Sequence, residues 1–204
     1  MIAAAGALAL NLTALALAFG WRSLAQWRAT GDTGLRLDAG PPGTLRWWAK
    51  LLFVAALALG VAGPAAGVAG LPPIGALDHR WLQITGLGIA VLGIAAVLAA
   101  QLDMGASWRI GVDPSEHTTL VTCGTFAVSR NPIFTAMAFT STGLTLLAPN
   151  PLAVLATATL IAALQLQVRR VEEPYLIHTH GTAYTTYASR AGRFLPGVGR
   201  LRNQ

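Results

Sequence analysis

Four long uncharged stretches divide the chain, and each is long enough for a helix that crosses a bilayer. Lys, Arg, Asp and Glu are absent from residues 1–20, 51–77, 81–102 and 131–168. A spanning helix needs about 20 apolar residues. Pro149-Asn150-Pro151 interrupts the last stretch, and this stop and restart predicts two helices joined by a tight turn. The five predicted spans cover about residues 2–20, 51–70, 81–101, 132–148 and 151–168.

Composition agrees with a bilayer as the surrounding solvent. Hydrophobic residues make up 54% of the 204 residues and charged residues only 11%, which is unlike a soluble domain. The first stretch lacks a basic residue ahead of its apolar core, so we expect a span there rather than a cleaved signal. No internal repeat or linker is present. The sequence therefore predicts an all-α polytopic membrane protein with one domain, residues 1–204.

The distribution of basic residues predicts the orientation in the membrane. Of the 14 basic residues, 13 fall in the two long loops and the tail. With five spans these segments lie on one side of the membrane, and Arg80 alone falls on the other. The positive-inside rule puts that basic side in the cytoplasm and the N-terminus outside. Lipid headgroups account for the positive charge, so nucleic acid is not an expected partner. Thirteen Arg against one Lys is typical of a GC-rich genome, so we expect a bacterial inner membrane.

Glycines inside the predicted spans are interpreted as packing positions. Gly86, Gly88 and Gly93 have the wrong spacing for a dinucleotide-binding loop and lie within a span. Gly63 and Gly67 have the small-xxx-small spacing that lets membrane helices approach each other. No metal site is expected, because His178 and His180 do not share a helix face and no further ligand accompanies them.

The informative polar residues concentrate in the loop 103–131 and in the tail after residue 168. The predicted turn between the last two spans brings both segments to the same membrane face. We therefore expect the cytoplasmic loop and a helical C-terminal tail to form the two halves of one pocket. Asn131-Pro132 begins one span at that pocket, whereas Asn150-Pro151 begins the next on the opposite face and is expected only to cap its helix.

Three motifs in this order carry a resemblance to a known family. They are LVTCGTFAVSRNPIF at 120–134, EEPYLIHTHGTAYTTY at 172–187 and RFLP at 193–196. Together they resemble the isoprenylcysteine carboxyl methyltransferase and phospholipid methyltransferase group of membrane enzymes, over a core of about residues 105–197. The resemblance implies S-adenosyl-L-methionine as cofactor, a fold that is not Rossmann-like, and a lipophilic substrate approached from the bilayer.

That cofactor needs an anion-binding element, an acid and apolar or aromatic walls. Asn131 as N-cap and Pro132 as first helical residue direct the positive end of a helix dipole toward a carboxylate. Glu172 and Glu173 are candidates for the ammonium, and the resemblance assigns this role to Glu172. The residues predicted to bind the cofactor are His117, Thr119, Leu120, Val121, Gly124, Phe126, Arg130, Asn131, Pro132, Phe134 and Glu172.

Candidate catalytic residues follow the same motifs. Relatives have a substrate-binding arginine about one turn before the glutamate, and because residue 168 is valine we expect Arg169 to take that role. A carboxylate acceptor needs no base, whereas an amine, thiol or phenol needs one, and Glu173 and His117 are the candidates. Pro174 is expected to break the helix.

Further along the tail, we expect Gly181 to cap a short helix. Tyr184 and Tyr187 follow with a spacing that places them on one side of the next helix, either in the pocket or packed at the interface.

The predicted function is methyl transfer from S-adenosyl-L-methionine to a lipophilic acceptor embedded in the membrane. One alternative is a nicotinamide-dependent membrane reductase, for which Arg130, Arg169 and Arg170 would bind cofactor phosphates. A non-catalytic membrane scaffold is another. No span interior carries an ionisable residue, which argues against an ion or proton pathway.

Overall fold

The computed structural model describes residues 1–36, 38–109 and 119–201, and the predicted site residue His117 lies outside them. The described residues form helices joined by loops, and an isolated β-bridge joins Ser129 to Gly192. The principal helices are α1 (Ile2–Thr30), α2 (Leu45–Val68), α3 (Arg80–Met104), α4 (Pro132–Leu147), α5 (Pro151–Gln167) and α6 (Glu173–Arg190).

Four helical segments are long and apolar enough to cross a membrane: α1, α2, α3 and the continuous segment Pro151–Arg190. The protein is therefore an integral membrane protein. The fourth predicted span, 132–148, corresponds to α4, which is apolar but has only 16 residues. At 1.5 Å per residue its length is about 24 Å, shorter than the roughly 30 Å hydrocarbon core of a bilayer.

Helix α1 extends beyond the predicted span because its polar end is buried against the loop that follows α3. The Arg22 guanidinium donates to the Gly105 carbonyl at 2.6 Å, and the Gln26 amide donates to the Ala106 carbonyl at 2.8 Å. The helix ends at Gly31, which has a left-handed conformation with φ of 77°. Polar contacts with tertiary partners, which an apolar run does not reveal, extend this helix.

Small residues set the distances between antiparallel helices. A Cβ on Gly86 would lie 2.6 Å from the Gly143 carbonyl oxygen, so α3 and α4 are in backbone contact there. A Cβ on Gly63 of α2 would lie 3.0 Å from the Ala153 nitrogen of α5. The packing interpretation is confirmed for these glycines but is wrong for Gly88, where an added Cβ would meet nothing within 4 Å. The antiparallel packing gathers the starts of α4 and α6 at one end of the bundle.

The turn between α4 and α5 has the predicted start at Asn150. Its side-chain oxygen accepts from the Ala153 N–H at 3.0 Å, as an N-cap does. The same side chain also donates to the Gly63 carbonyl at 2.9 Å, which ties the turn to α2. The expectation that Asn150 only caps its helix is therefore wrong.

The helix after the last span continues through Pro174 instead of ending there. A wider π-helical turn, Val168–Glu172, joins α5 to α6, and Pro174 lies in the first turn of α6. Proline is tolerated at that position because the first-turn N–H groups have no partner within their own helix. The interruption occurs at Gly181, whose φ of 51° and ψ of −124° kink α6, so Gly181 ends a short helix as expected.

Candidate cofactor site

One cavity of about 240 Å³ lies at the end of the bundle where α4 begins. Its walls come from α1, α2, the end of α3, the loop around 120, the start of α4 and the tail. The loop and the tail therefore meet in one pocket, as the sequence predicts. The predicted cofactor residues that line it are Thr119, Leu120, Val121, Phe126, Arg130, Asn131, Pro132, Phe134 and Glu172.

A buried ion-pair cluster holds the tail against the start of α4. The Glu173 carboxylate accepts from Arg130 Nη2 and Arg193 Nε, each at 2.8 Å, through the same oxygen. Arg130 also donates to the carbonyls of Ala188 and Gly199. The charged hydrogen bond from Arg193 to Glu173 raises the pKa of the Arg193 guanidinium above its ordinary value. This cluster positions both sequence motifs relative to each other.

The two neighbouring glutamates have different environments. Glu172 lines the cavity and accepts from the Gln167 amide at 3.1 Å. Glu173 is not among the lining residues, and its carboxylate is held by arginines. Consecutive residues on a helix point about 100° apart, so the chain directs one acid into the cavity and the other into the protein.

Helix α4 begins at the cavity wall without a side-chain cap. Asn131 occupies the N-cap position, but its amide donates to the Arg193 carbonyl at 2.8 Å. The prediction that its side chain caps the helix is therefore wrong. Since the first N–H groups of a helix have no partner within it, the uncapped start leaves the amides of Ile133 and Phe134, two lining residues, available to an anion.

Aromatic side chains form one side of the cavity. Tyr184 and Tyr187 are in edge-to-face contact with ring centroids 6.2 Å apart, and both line it. The Tyr187 hydroxyl donates to the Phe126 carbonyl at 2.7 Å and so connects the tail to the loop. Both tyrosines therefore belong to the pocket, one of the two roles that their spacing left open.

Gly124 makes the tight turn expected of it, although it does not line the cavity. Its φ is 59°, and a Cβ there would lie 2.5 Å from the Asp103 carboxylate. That carboxylate accepts from the Thr125 N–H at 2.7 Å, which fixes the loop to the end of α3. Asp103 thus positions the loop that forms part of the pocket wall, a role that its place in the sequence does not indicate.

Arg169 lies on the outer surface of the tail. It is exposed, its Nε donates to the Gln165 side chain at 2.7 Å, and it is not among the residues that line the cavity. Arg170 is likewise exposed and outside the lining. The described structure therefore gives neither arginine a contact with the space where a substrate would lie.

Several lining residues were not predicted. Lys50, Gln101, Trp108 and Arg109 come from elements outside the motifs, Gln167 precedes the second motif, and Tyr175 and His180 lie within it. Gln101 is the most informative, because its Oε1 is buried with no hydrogen-bond partner among the described residues while its amide donates to the Ala18 carbonyl. A glutamine inside a predicted span is the sequence signal that indicates a polar site where Gln101 lines the cavity.

Comparison with known proteins now identifies the family. The family model described as phospholipid methyltransferase matches residues 81–183, just over half of the chain. The chain belongs to this family. The match begins at the start of α3 and ends shortly after Gly181, so it includes the loop, α4, α5 and the glutamate pair.

Curated relatives of this family member are protein-S-isoprenylcysteine O-methyltransferases. The B enzyme of Arabidopsis thaliana is 29% identical over 126 residues, which cover 61% of this chain and 64% of that protein. The Homo sapiens enzyme is 30% identical over 120 residues, which cover 58% of this chain and 42% of that protein. The matched region therefore spans less than two thirds of either relative.

A solved structure has the same fold. The eukaryotic intramembrane Ras methyltransferase, an isoprenylcysteine carboxyl methyltransferase, aligns with a TM-score of 0.57 over 94% of this chain and 67% of that chain. Sequence identity in this alignment is 21%, so the likeness concerns the fold. The all-helical intramembrane architecture is confirmed.

Proposed function

We propose that this protein transfers a methyl group from S-adenosylmethionine to a lipophilic acceptor in the membrane. The observation that carries the proposal is the pairing, in one cavity, of the Glu172 carboxylate with the uncapped start of α4. The amino-acid end of S-adenosylmethionine has a cationic ammonium and an anionic carboxylate, and the cavity offers a complementary group for each. Family membership supports the same assignment.

The described residues fit this cofactor. Glu172 would hold the ammonium, and the amides of Ile133 and Phe134 would hold the carboxylate. Phe126, Tyr184 and Tyr187 offer ring surfaces to the adenine or to the positive sulfonium, which aromatic faces attract. The unpartnered Gln101 Oε1 offers an acceptor for an N–H or O–H group. Thr119, Leu120 and Val121 complete the wall on the loop side.

The cofactor, when bound, supplies an electrophilic methyl group. The protein's own contribution is to orient donor and acceptor, which in favourable cases lowers a barrier by about 7–11 kcal/mol. Burial of the site among apolar helices also limits competing attack by water.

A carboxylate is the acceptor that the cavity supports best. Lys50 and Arg109 contribute two cationic side chains to the wall, and they attract an anionic acceptor. Glu173 is engaged by Arg130 and Arg193, so this site does not present it as a base. A carboxylate needs no base, and the curated relatives are named for O-methylation of isoprenylcysteine.

The reductase alternative receives less support from the geometry. That alternative assigns the binding of its cofactor phosphates to Arg130, Arg169 and Arg170. Arg130 is paired with Glu173, while Arg169 and Arg170 are exposed and do not line the cavity.

Binding of S-adenosylhomocysteine and of NADPH to the detergent-solubilised protein tests the proposal. We expect S-adenosylhomocysteine to bind and NADPH not to compete with it. Glu172→Gln should weaken S-adenosylhomocysteine binding about 10- to 150-fold, because a charge-assisted hydrogen bond is lost. Asp78→Asn, which removes an exposed carboxylate that accepts from the Gln83 amide and is not among the lining residues, is the matched control.

Two results would contradict the proposal. One is tighter binding of NADPH than of S-adenosylhomocysteine. The other is wild-type affinity in a folded Glu172→Gln protein, which would remove this residue from the cofactor site. Transfer of a labelled methyl group to a farnesylated cysteine, with the free carboxylate compared against its amide, then tests the acceptor class.

A further inference from the structure

A second, smaller cavity lies deeper among the helices. It has a volume of about 80 Å³ and lies between α1, α2, α3, α4 and α5. Ala18, Phe19 and Met137 line both this cavity and the cofactor cavity, so the two spaces adjoin at these residues. Most of its wall is apolar, as expected within a bilayer.

One polar side chain in that wall has no partner. Asn11 lies within the apolar part of α1 and retains only 9% of its accessible surface, and its amide nitrogen has no hydrogen-bond acceptor among the described residues. Asn11 lines the second cavity, and Gly60 of α2 lies beside it, since a Cβ there would be in ordinary contact with that nitrogen at 3.6 Å. Hydrocarbon provides no acceptor, so an unpaired amide at this depth is unfavourable unless a ligand pairs with it.

The hydroxyl groups in the wall of the same cavity already donate hydrogen bonds to neighbouring oxygens. Thr145 donates to the Ala153 carbonyl, so in its 2.8 Å contact with Thr157 the proton belongs to Thr157. The 2.7 Å contact between Ser141 and Thr157 must then use the Ser141 proton. Thr140 donates to the Ala136 carbonyl. Among the described residues that line this cavity, the Asn11 amide is therefore the side-chain donor left for a ligand.

We propose that the second cavity is a chain-binding subsite in which the Asn11 amide donates a hydrogen bond to a ketone, ester or ether oxygen partway along the apolar chain of the ligand. Asn11 precedes Phe19 by eight residues, which places that oxygen about 12 Å from the boundary of the two cavities. The statement that this apolar chain belongs to the methyl acceptor rests on the proposed function. The hydrogen bond from Asn11 to the ligand oxygen does not depend on that function. An acceptor with an oxygen within its chain is favoured in this way, whereas a farnesyl chain would occupy the same cavity without that hydrogen bond.

Direct binding of two labelled probes tests the hydrogen bond. The probes are a tritiated long-chain symmetrical ketone and the alkane of the same length, each bound to the detergent-solubilised full chain. We expect the ketone to bind about three- to tenfold more tightly, the usual worth of one hydrogen bond. In Asn11→Leu, which keeps the number and branching of the side-chain heavy atoms, ketone affinity should fall to that of the alkane.

Two further variants control for indirect effects. Thr13→Val removes an exposed hydroxyl on the same helix that bonds the Ala9 carbonyl and does not line the cavity, so it should retain the ketone preference. Gly60→Leu should fill the space beside Asn11 and weaken both probes. Equal affinities in the wild type, or an unchanged preference in Asn11→Leu, overturns the proposal.

S-adenosylhomocysteine binding, measured in parallel, separates this inference from the proposed function. Absence of the ketone preference in the wild type, with intact cofactor binding, overturns the subsite alone. A ketone preference without cofactor binding supports the subsite and overturns the methyltransferase assignment. If a diacyl phospholipid displaces the ketone and depends equally on Asn11, the occupant is a bilayer lipid, and the assignment to the acceptor is wrong.

Discussion

Two adjacent carboxylates illustrate how one residue step changes the role of a side chain. Glu172 meets the cavity and a single amide donor, whereas Glu173 is buried between Arg130 and Arg193. A buried ion pair often contributes little net stability, but removing one partner leaves an uncompensated charge. The two acids are thus expected to respond very differently to the same substitution.

Glu173→Leu should lower the free energy of unfolding by about 3–5 kcal/mol, because it leaves two buried guanidinium groups without their carboxylate. Glu172→Leu should change stability much less and should instead weaken S-adenosylhomocysteine binding. Thermal unfolding in detergent and binding titrations on both variants check the pair. A Glu173→Leu protein with wild-type stability but no methyl transfer would favour a catalytic role for Glu173 and contradict the structural one.

At the scale of elements, two helices start with the same dipeptide in different surroundings. Asn150 caps α5 and bonds α2, whereas Asn131 leaves α4 uncapped and bonds the tail at Arg193. The difference is set by neighbours distant in sequence. Of the two Asn-Pro helix starts, the uncapped one faces the cavity that we assign to the cofactor.

Asn150→Ala should destabilise the protein by about 1–3 kcal/mol, through loss of a cap and of a buried hydrogen bond, without changing cofactor affinity per folded molecule. Asn131→Ala should cost about 0.5–1.5 kcal/mol and should also weaken S-adenosylhomocysteine binding, since the tail is no longer held at the start of α4. S-adenosylhomocysteine titrations compare the affinities of the two variants, each at a temperature at which the same fraction of the protein is folded. Equal losses of affinity at both positions would contradict the assignment.

Helix α3 provides a matched pair of glycines for the packing argument. Gly86→Ala places a Cβ 2.6 Å from the Gly143 carbonyl oxygen, so α3 and α4 must separate, at about 1–3 kcal/mol. Gly88→Ala on the same helix meets open space and should be neutral or stabilising by up to about 1 kcal/mol. Unfolding midpoints of the two variants test this. Similar midpoints would mean that the helices do not pack as closely as described.

At the scale of the whole molecule, antiparallel packing places the loop and the tail at one end of the bundle. Gly86 lies against Gly143 and Gly63 against Ala153, so the start of α4 is at the same end as the finish of α3 and of α5. Five crossings are consistent with this arrangement if the bilayer thins or α4 is sheltered by its neighbours. We propose that the basic residues then face the cytoplasm, together with the cavity that we assign to the cofactor.

That topology makes a prediction for the intact membrane. A tag at the C-terminus should be cut by protease only from the cytoplasmic side, and a tag at the N-terminus only from the outside, because 13 of the 14 basic residues occupy one side. Protease treatment of sealed spheroplasts and of inverted vesicles makes the measurement. Both tags on the same side would mean an even number of crossings and would contradict the five-span proposal.

The sequence by itself determined the helical architecture, the positions of the apolar helices and the two segments that form the cavity. These features depend on local physical chemistry: runs of about 20 apolar residues, proline stops and the order of short motifs. Tyr184 and Tyr187 were placed on one helix face by spacing alone, and Gly124 and Gly181 by their need for unusual backbone angles.

Only the tertiary structure decided which polar groups face the cavity and which are consumed by partners. The roles of Asn131, Asn150, Glu173 and Asp103 depend on carbonyls and charges contributed by elements far along the chain. The free amide of Asn11 likewise becomes apparent only when its neighbours are known. A residue type states which hydrogen bonds a side chain can make, but the packing of distant helices determines which of them remain for a ligand.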